Sequence, residues 1–103
     1  MNQQLSKAKA SILSSLSIKK YREEHGLFLV EGFKIIEEVL KTGMEIRMLV
    51  GLPESLEKID IDSSLKFETD QRTMEKLSNF NTASAIMAAV AIPHKELNIS
   101  DLS

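Results

Sequence analysis

The chain has 103 residues, of which 43% are hydrophobic and 27% are charged, and its net charge is −2. This length holds one domain, and this composition is typical of a soluble globular protein. The absence of cysteine excludes disulfides, zinc–thiolate sites and thiol catalysis, and it agrees with a cytoplasmic location. The N-terminus lacks the apolar run of a secretory signal, and the weakly polar stretch 83–93 is too short to span a bilayer. We therefore expect no membrane association.

The net charge conceals an asymmetry along the chain. Residues 1–22 contain five basic and no acidic side chains, whereas residues 23–103 contain eight basic and fifteen acidic ones, so the two parts carry +5 and −7. Electrostatic fields extend over about one Debye length, which is about 8–10 Å at physiological ionic strength. A basic N-terminal segment can therefore attract a polyanion although the whole chain is acidic.

The N-terminal third predicts two helices and a strand. Apolar residues recur every three or four positions over residues 5–16, which indicates an amphipathic helix that ends among the serines. A short second helix is expected over residues 18–24, with Ser17 as its N-cap and Gly26 as its stop. The apolar run over residues 27–30 is typical of a strand that is buried on both faces.

The remainder of the chain continues the alternation of helices and strands. The apolar spacing predicts a helix over 33–42, a strand over 46–50, a short helix over 54–58, a half-exposed edge strand over 65–68, a helix from Thr69 or Asp70 through Leu77, and a strand over 86–92. This order predicts an α/β fold: a three-layer α/β/α sandwich around a mainly parallel or mixed sheet of about four strands.

No pattern of catalytic, metal-binding or cofactor-binding residues is found. His25 and His94 are isolated, without the partners of a catalytic triad or the spacing of a metal site. The neighbouring carboxylates at 23–24 and 37–38 cannot converge on one substrate from a helix. The four glycines are also isolated, so no phosphate-binding loop can be assigned. We therefore expect no catalytic site and no cofactor in this chain.

The segment Lys19-Lys20-Tyr21-Arg22 combines three cations with an aromatic ring. Cations that contact phosphates and a ring that stacks on bases together suit RNA. The alternative is that these residues form the solvated face of a helix. Glu31 and Gly32 also have two interpretations, because glycine relieves backbone crowding at a strand-to-helix turn and a carboxylate is favourable near a helix N-terminus.

Two segments resemble the N-terminal substrate-binding domain of the SpoU/TrmH family of RNA 2′-O-ribose methyltransferases. The first comprises Lys20-x-Arg22, then Gly26-Leu27-Phe28-Leu29-Val30-Glu31-Gly32, then a helix with Glu38 and Leu40. The second comprises Thr69, Met74, Leu77-Ser78, Thr82 and Ile86-Met87-Ala88-Ala89-Val90. The resemblance covers about residues 5–93. It departs from the family at Ala83-Ser84-Ala85, where the family often has Pro-Gln-Gly.

The resemblance implies an L30e-like domain over residues 1–93 that binds structured RNA, either rRNA or tRNA. The residues that match the family motif, and would face the RNA, are Lys20, Arg22, Glu31 and Gly32. Three neighbours are added for their charge and position: Lys19, Tyr21 and Lys34.

The resemblance further implies that residues 94–103 begin a linker to a catalytic domain absent from this chain. That domain would bind S-adenosylmethionine, form a homodimer and carry out the methyl transfer, so this chain would be non-catalytic by itself. Two alternatives remain open: a free-standing L30e-like RNA-binding protein, and a protein-interaction module that uses its acidic surface.

Overall fold

The computed structural model describes residues 3–78 and 82–93. The elements in chain order are β1 (Gln3–Gln4), α1 (Lys7–Ser15), α2 (Lys19–His25), β2 (Leu27–Glu31), α3 (Phe33–Thr42), β3 (Ile46–Gly51), α4 (Pro53–Leu56), a 3-10 turn (Ser63–Leu65), β4 (Lys66–Glu68), α5 (Gln71–Leu77) and β5 (Ile86–Ala91). The linker predicted over residues 94–103 lies outside the described residues. None of the described helices is long and apolar enough to cross a membrane.

The five strands form one mixed sheet in the order β1–β4–β3–β5–β2. The pairs β1–β4 and β4–β3 are parallel, whereas β5 runs antiparallel to both β3 and β2. The strands β1 to β4 therefore all run in one direction. The border of the sheet formed by the C-terminal ends of these strands includes Glu31 and Gly51, and we call it the upper edge. The border formed by their N-terminal ends includes Leu27 and Ile46, and we call it the lower edge. Both terms refer to strand ends and not to the outermost strands, β1 and β2.

Helices cover both faces of the sheet and enclose a separate apolar core on each. Leu13 of α1 and Met74 of α5 are buried in the core on one face. Ile36 of α3 and Leu56 of α4 are buried in the core on the other face. The predicted three-layer α/β/α arrangement is confirmed.

β2 is the strand expected over residues 27–30, and the expected burial on both faces is partly found, because Leu27 and Val30 are buried and Phe28 and Leu29 are half-buried. Leu27 and Leu29 join the core beneath α1 and α5, whereas Phe28 and Val30 join the core beneath α3. Successive side chains of a strand point to opposite faces, so four consecutive apolar residues supply both cores.

The strand β1 was not predicted from the sequence, and the predicted edge strand, β4, is an inner strand. Gln3 and Gln4 pair in parallel with Phe67 and Glu68, so β4 lies inside the sheet and is not the predicted edge strand. Both glutamines are exposed, and they bond through their backbone and their side-chain amides. A strand without apolar residues leaves no apolar alternation in the sequence. The edge strands are β1 and the apolar β2.

The helix caps are partly those expected. The Asp70 carboxylate accepts a hydrogen bond from the Thr73 N–H at 2.8 Å and begins α5. The prediction that Ser17 caps α2 is wrong, because Ile18 holds that position without a side-chain bond. The Ser17 hydroxyl instead donates to the Ser14 carbonyl oxygen at 3.4 Å, a local bond back to the preceding helix.

Candidate nucleic-acid interface

α2 leads from the end of α1 into β2 at the lower edge and carries two exposed cations. Lys19 and Lys20 lie in its first turn and are exposed. Within the part of the chain that the structure describes, neither forms an ion pair with a carboxylate. The Lys20 Nζ lies 5.6 Å from the centre of the half-buried Tyr21 ring. We call Lys19 and Lys20 the α2 cations.

Two carboxylates on the same helix lie near the α2 cations but form no ion pair with them. Glu23 and Glu24 stand four positions after Lys19 and Lys20, a spacing that places side chains beside one another on a helix. All four side chains are exposed, yet no ion pair joins them among the described residues. The cations thus remain available to an external anion.

Arg22 differs from the two lysines because its side chain turns inward. Its Nη1 donates to the carbonyl oxygen of Leu16 at 3.0 Å, and the residue is half-buried. Leu16 is the C-cap of α1, where backbone carbonyls lack partners within the helix. Arg22 therefore fastens α2 to the end of α1.

Glu31 and Gly32 lie at the upper edge, where β2 passes into α3. A Glu31 Oε1 atom accepts a hydrogen bond from the Ser78 hydroxyl at 2.6 Å, which joins the end of β2 to the end of α5. Gly32 has a φ of 107° and a ψ of 153°, a backbone conformation open almost only to glycine. Its N–H donates to the Ile86 carbonyl oxygen at 3.0 Å. The backbone alone accounts for glycine at this position.

The seven predicted site residues fall into two groups at opposite ends of β2. Strand geometry separates the Cα atoms of Leu27 and Glu31 by about 13 Å, at about 3.3 Å per residue. The group at the lower edge comprises Lys19, Lys20, Tyr21 and Arg22, and the group at the upper edge comprises Glu31, Gly32 and the exposed Lys34. The two groups are thus separated along the length of β2.

Comparison with known proteins identifies the kind of domain. The profile of the MRM3-like substrate binding domain matches residues 8–88. The chain belongs to this family. No curated protein sequence matches it.

Solved structures of similar proteins agree with this assignment. A putative RNA methyltransferase of the TrmH family from Porphyromonas gingivalis is 29% identical, with a TM-score of 0.78 over 87% of this chain and 36% of that chain. An RNA 2′-O ribose methyltransferase is 20% identical, with a TM-score of 0.72 over 91% of this chain and 38% of that one. An AdoMet-bound rRNA methyltransferase from Sinorhizobium meliloti is 18% identical, with a TM-score of 0.70 over 88% and 36%. The chain thus spans little more than a third of the length of these proteins.

The predicted resemblance to a SpoU/TrmH substrate-binding domain is confirmed by the family match and by the likeness to the Porphyromonas gingivalis protein. For the two relatives under a quarter identical, the likeness concerns the fold alone.

The contact between Ser78 and Glu31 is not predicted from the sequence. The serine follows α5 and reaches a carboxylate 47 positions earlier in the chain. A contact between residues so distant in sequence has no local pattern, so only the sheet order reveals it. Among the described residues, no cluster of histidine and carboxylate side chains is placed to hold a metal ion.

Proposed function

We propose that this substrate-binding domain positions structured RNA, either rRNA or tRNA, for 2′-O-ribose methylation by a catalytic domain outside the chain. The α2 cations make the main phosphate contacts. Phosphate contacts fix the register of an RNA without reading its sequence, so shape dominates recognition over most of the interface.

The observation that carries this proposal is the exposure of Lys19 and Lys20, which form no ion pair with a carboxylate among the described residues, with the Lys20 Nζ 5.6 Å from the Tyr21 ring centre. Two adjacent lysines without carboxylate partners concentrate positive charge on a chain whose net charge is −2. Local potential of this kind steers a polyanion toward one face.

The charge order of α2 supports the same interpretation. The positive end of a helix dipole lies at its N-terminus, where carboxylates stabilise and cations destabilise by about 0.3–1 kcal/mol each. The first turn of α2 has the reverse order, because it carries Lys19 and Lys20 and no carboxylate, whereas the basic residues of the last turn, Arg22 and His25, lie at the favourable end. The order in the first turn does not stabilise the helix, and it places cations where phosphates can reach them.

The rest of the proposed enzyme lies beyond this chain. One of the similar solved structures is AdoMet-bound, and we place binding of that cofactor, the source of the transferred methyl group, in a following catalytic domain. The four isolated glycines here do not fit a glycine-rich cofactor loop. Homodimerisation through the catalytic domain, a cytoplasmic location and an L30e-like mode of RNA binding belong to the same proposal.

The test is a gel-shift titration of structured rRNA or tRNA fragments with the 103-residue chain, repeated over a range of salt concentrations. The double variant Lys19→Glu/Lys20→Glu should lower the affinity more than tenfold. The slope of log affinity against log salt concentration should also become less negative by about 1.5, since each lost phosphate contact reduces the magnitude of this slope by about 0.7–0.9. The melting temperature should stay the same or rise slightly, because glutamates suit the first turn of α2.

The matched control is Lys41→Glu/Lys76→Glu, which makes the same charge change at two exposed positions on α3 and α5. This control should weaken RNA binding far less than the α2 variant. An equal loss of RNA affinity in both variants would show that the α2 cations act only through the overall charge of the chain, and it would contradict the proposal. A chain that binds no RNA would favour the alternative of a protein-interaction module.

A further inference from the structure

A groove of about 640 Å³ runs between α1 and α2, beside the α2 cations. Its lining includes Ser11 and Ser14 of α1 and Tyr21, Glu24 and His25 of α2. Ile18, in the connection between the helices, also lines the groove and is 52% exposed, and the remaining lining residues are Ile12 and Ser15. The groove is large enough for one nucleotide, since small-molecule sites usually measure about 300–1,000 Å³.

The groove offers an aromatic ring for stacking and two hydroxyl groups that the fold leaves without acceptors among the described residues. Ser15 donates its hydroxyl to the Ile12 carbonyl oxygen at 2.7 Å. The hydroxyls of Ser11 and Ser14, by contrast, find no acceptor within the described residues. An exposed isoleucine next to an aromatic ring makes an apolar floor, and the hydroxyls and a carboxylate stand around it.

We propose that this groove receives one unpaired RNA nucleotide whose base carries an exocyclic amino group. The base stacks on Tyr21 and contacts Ile18, and its amino group donates to the Glu24 carboxylate. Lys20, whose Nζ lies 5.6 Å from the Tyr21 ring centre, reaches the phosphate of the same nucleotide. This inference rests on the proposed function and adds one base-reading contact to an interface otherwise governed by shape.

Charge complementarity selects a base with an amino group. A carboxylate repels phosphates, so Glu24 in the wall of a groove beside two lysines opposes simple phosphate binding. The same carboxylate is a good acceptor for the amino group of cytosine, and amino groups are also present on adenine and guanine. At the position of the cytosine amino group uracil carries a carbonyl oxygen, which a carboxylate repels, and this leaves uracil with its ring N3–H as a donor.

Tyr21 provides its own reporter, because the chain contains one tyrosine and no tryptophan. Oligo(C) and oligo(U) of equal length are titrated into the 103-residue chain while tyrosine emission is followed. Free N-acetyltyrosinamide corrects for absorption by the RNA. Oligo(C) should quench the emission and should bind about tenfold more tightly than oligo(U), the scale of discrimination that a well-placed base contact gives.

Two variants on the same helix separate base reading from overall charge. Glu24→Ala removes the acceptor from the groove, and Glu23→Ala removes an equal charge from a neighbouring exposed position that does not line it. Both should raise the affinity for either oligonucleotide slightly by removing a negative charge. Only Glu24→Ala should abolish the preference for oligo(C).

Three results would overturn the inference. Salt-dependent binding with unchanged Tyr21 emission would leave the groove empty while the proposed function stands. Equal preference for oligo(C) in the two variants would remove Glu24 from base reading. Absence of any RNA binding would refute the proposed function itself, and the inference with it.

Discussion

The inward bond of Arg22 predicts that this cation stabilises the fold more than it binds RNA. Its Nη1 donates at 3.0 Å to the Leu16 carbonyl oxygen at the end of α1. Arg22→Met keeps most of the apolar stem of the side chain and removes both the donor and the charge. The Leu16 carbonyl oxygen then loses its only protein donor among the described residues.

The size of the effect follows from the kind of hydrogen bond that is lost. Hydrogen bonds to charged groups contribute about 1.5–3 kcal/mol when buried. Arg22 is half-buried, so water replaces part of the bond in the variant and the expected loss is about 1–2 kcal/mol. A domain of this size loses about 5 °C in melting temperature per kcal/mol, so the melting temperature should fall by about 5–10 °C.

Thermal unfolding followed by circular dichroism, together with the gel shift, tests this prediction against Lys20→Met. That control removes the same charge and introduces the same side chain two positions earlier, at an exposed site. It should leave the melting temperature nearly unchanged, since surface substitutions usually alter stability by no more than about 0.5 kcal/mol, and it should weaken RNA binding more than Arg22→Met. An unchanged melting temperature for Arg22→Met, with a loss of RNA affinity equal to that of Lys20→Met, would refute the reasoning.

Two further predictions concern stability. A Cβ atom at Gly51 would lie 2.6 Å from the backbone oxygen of Ala85. Gly51→Ala should therefore destabilise the domain by about 2 kcal/mol or more, as overpacking does, and lower the melting temperature by about 10 °C. An unchanged melting curve would show that the backbone at Ala85 can move aside without cost. The Thr73 N–H holds the pKa of the Asp70 carboxyl below its usual value, so Asp70→Ala should lower the melting temperature at neutral pH. Because the folded-state pKa is depressed, this stabilisation is present above the unfolded pKa of about 3.9 and is lost as the pH falls through the folded value. The difference in melting temperature between wild type and Asp70→Ala should therefore become smaller below about pH 4. Asp70→Asn keeps a hydrogen-bond acceptor, so its melting temperature at neutral pH should remain close to that of wild type.

The sequence predicts the layered fold well because apolar spacing records burial directly. The four apolar residues of β2 supply two cores, and the helix over residues 33–42 is found as predicted. The order of strands is a different matter, since it depends on pairing between distant segments. Gln3 and Gln4 add a strand through backbone and side-chain hydrogen bonds, without apolar side chains, and this converts the predicted edge strand β4 into an inner one.

The residue types of the candidate site were predictable from the sequence, but the direction in which each side chain points was not. The sequence supplies three cations around Tyr21, and no local pattern distinguishes the exposed Lys20 from the inward Arg22. The difference arises because the chain turns after α1 and brings the Leu16 carbonyl within reach of residue 22. Likewise, the bond between Glu31 and Ser78 depends on the tertiary fold.

The division of the predicted residues between two sheet edges has a consequence for the size of the RNA. The α2 cations precede Leu27 at the lower end of β2, and Lys34 follows Glu31 at its upper end. About 13 Å of strand separates Leu27 from Glu31. We therefore expect an RNA that contacts both the α2 cations and Lys34 to extend over more than one nucleotide. In the proposed complex the two edges consequently bind different parts of one structured RNA, with the lower edge holding the unpaired nucleotide and the upper edge holding a neighbouring segment of the backbone.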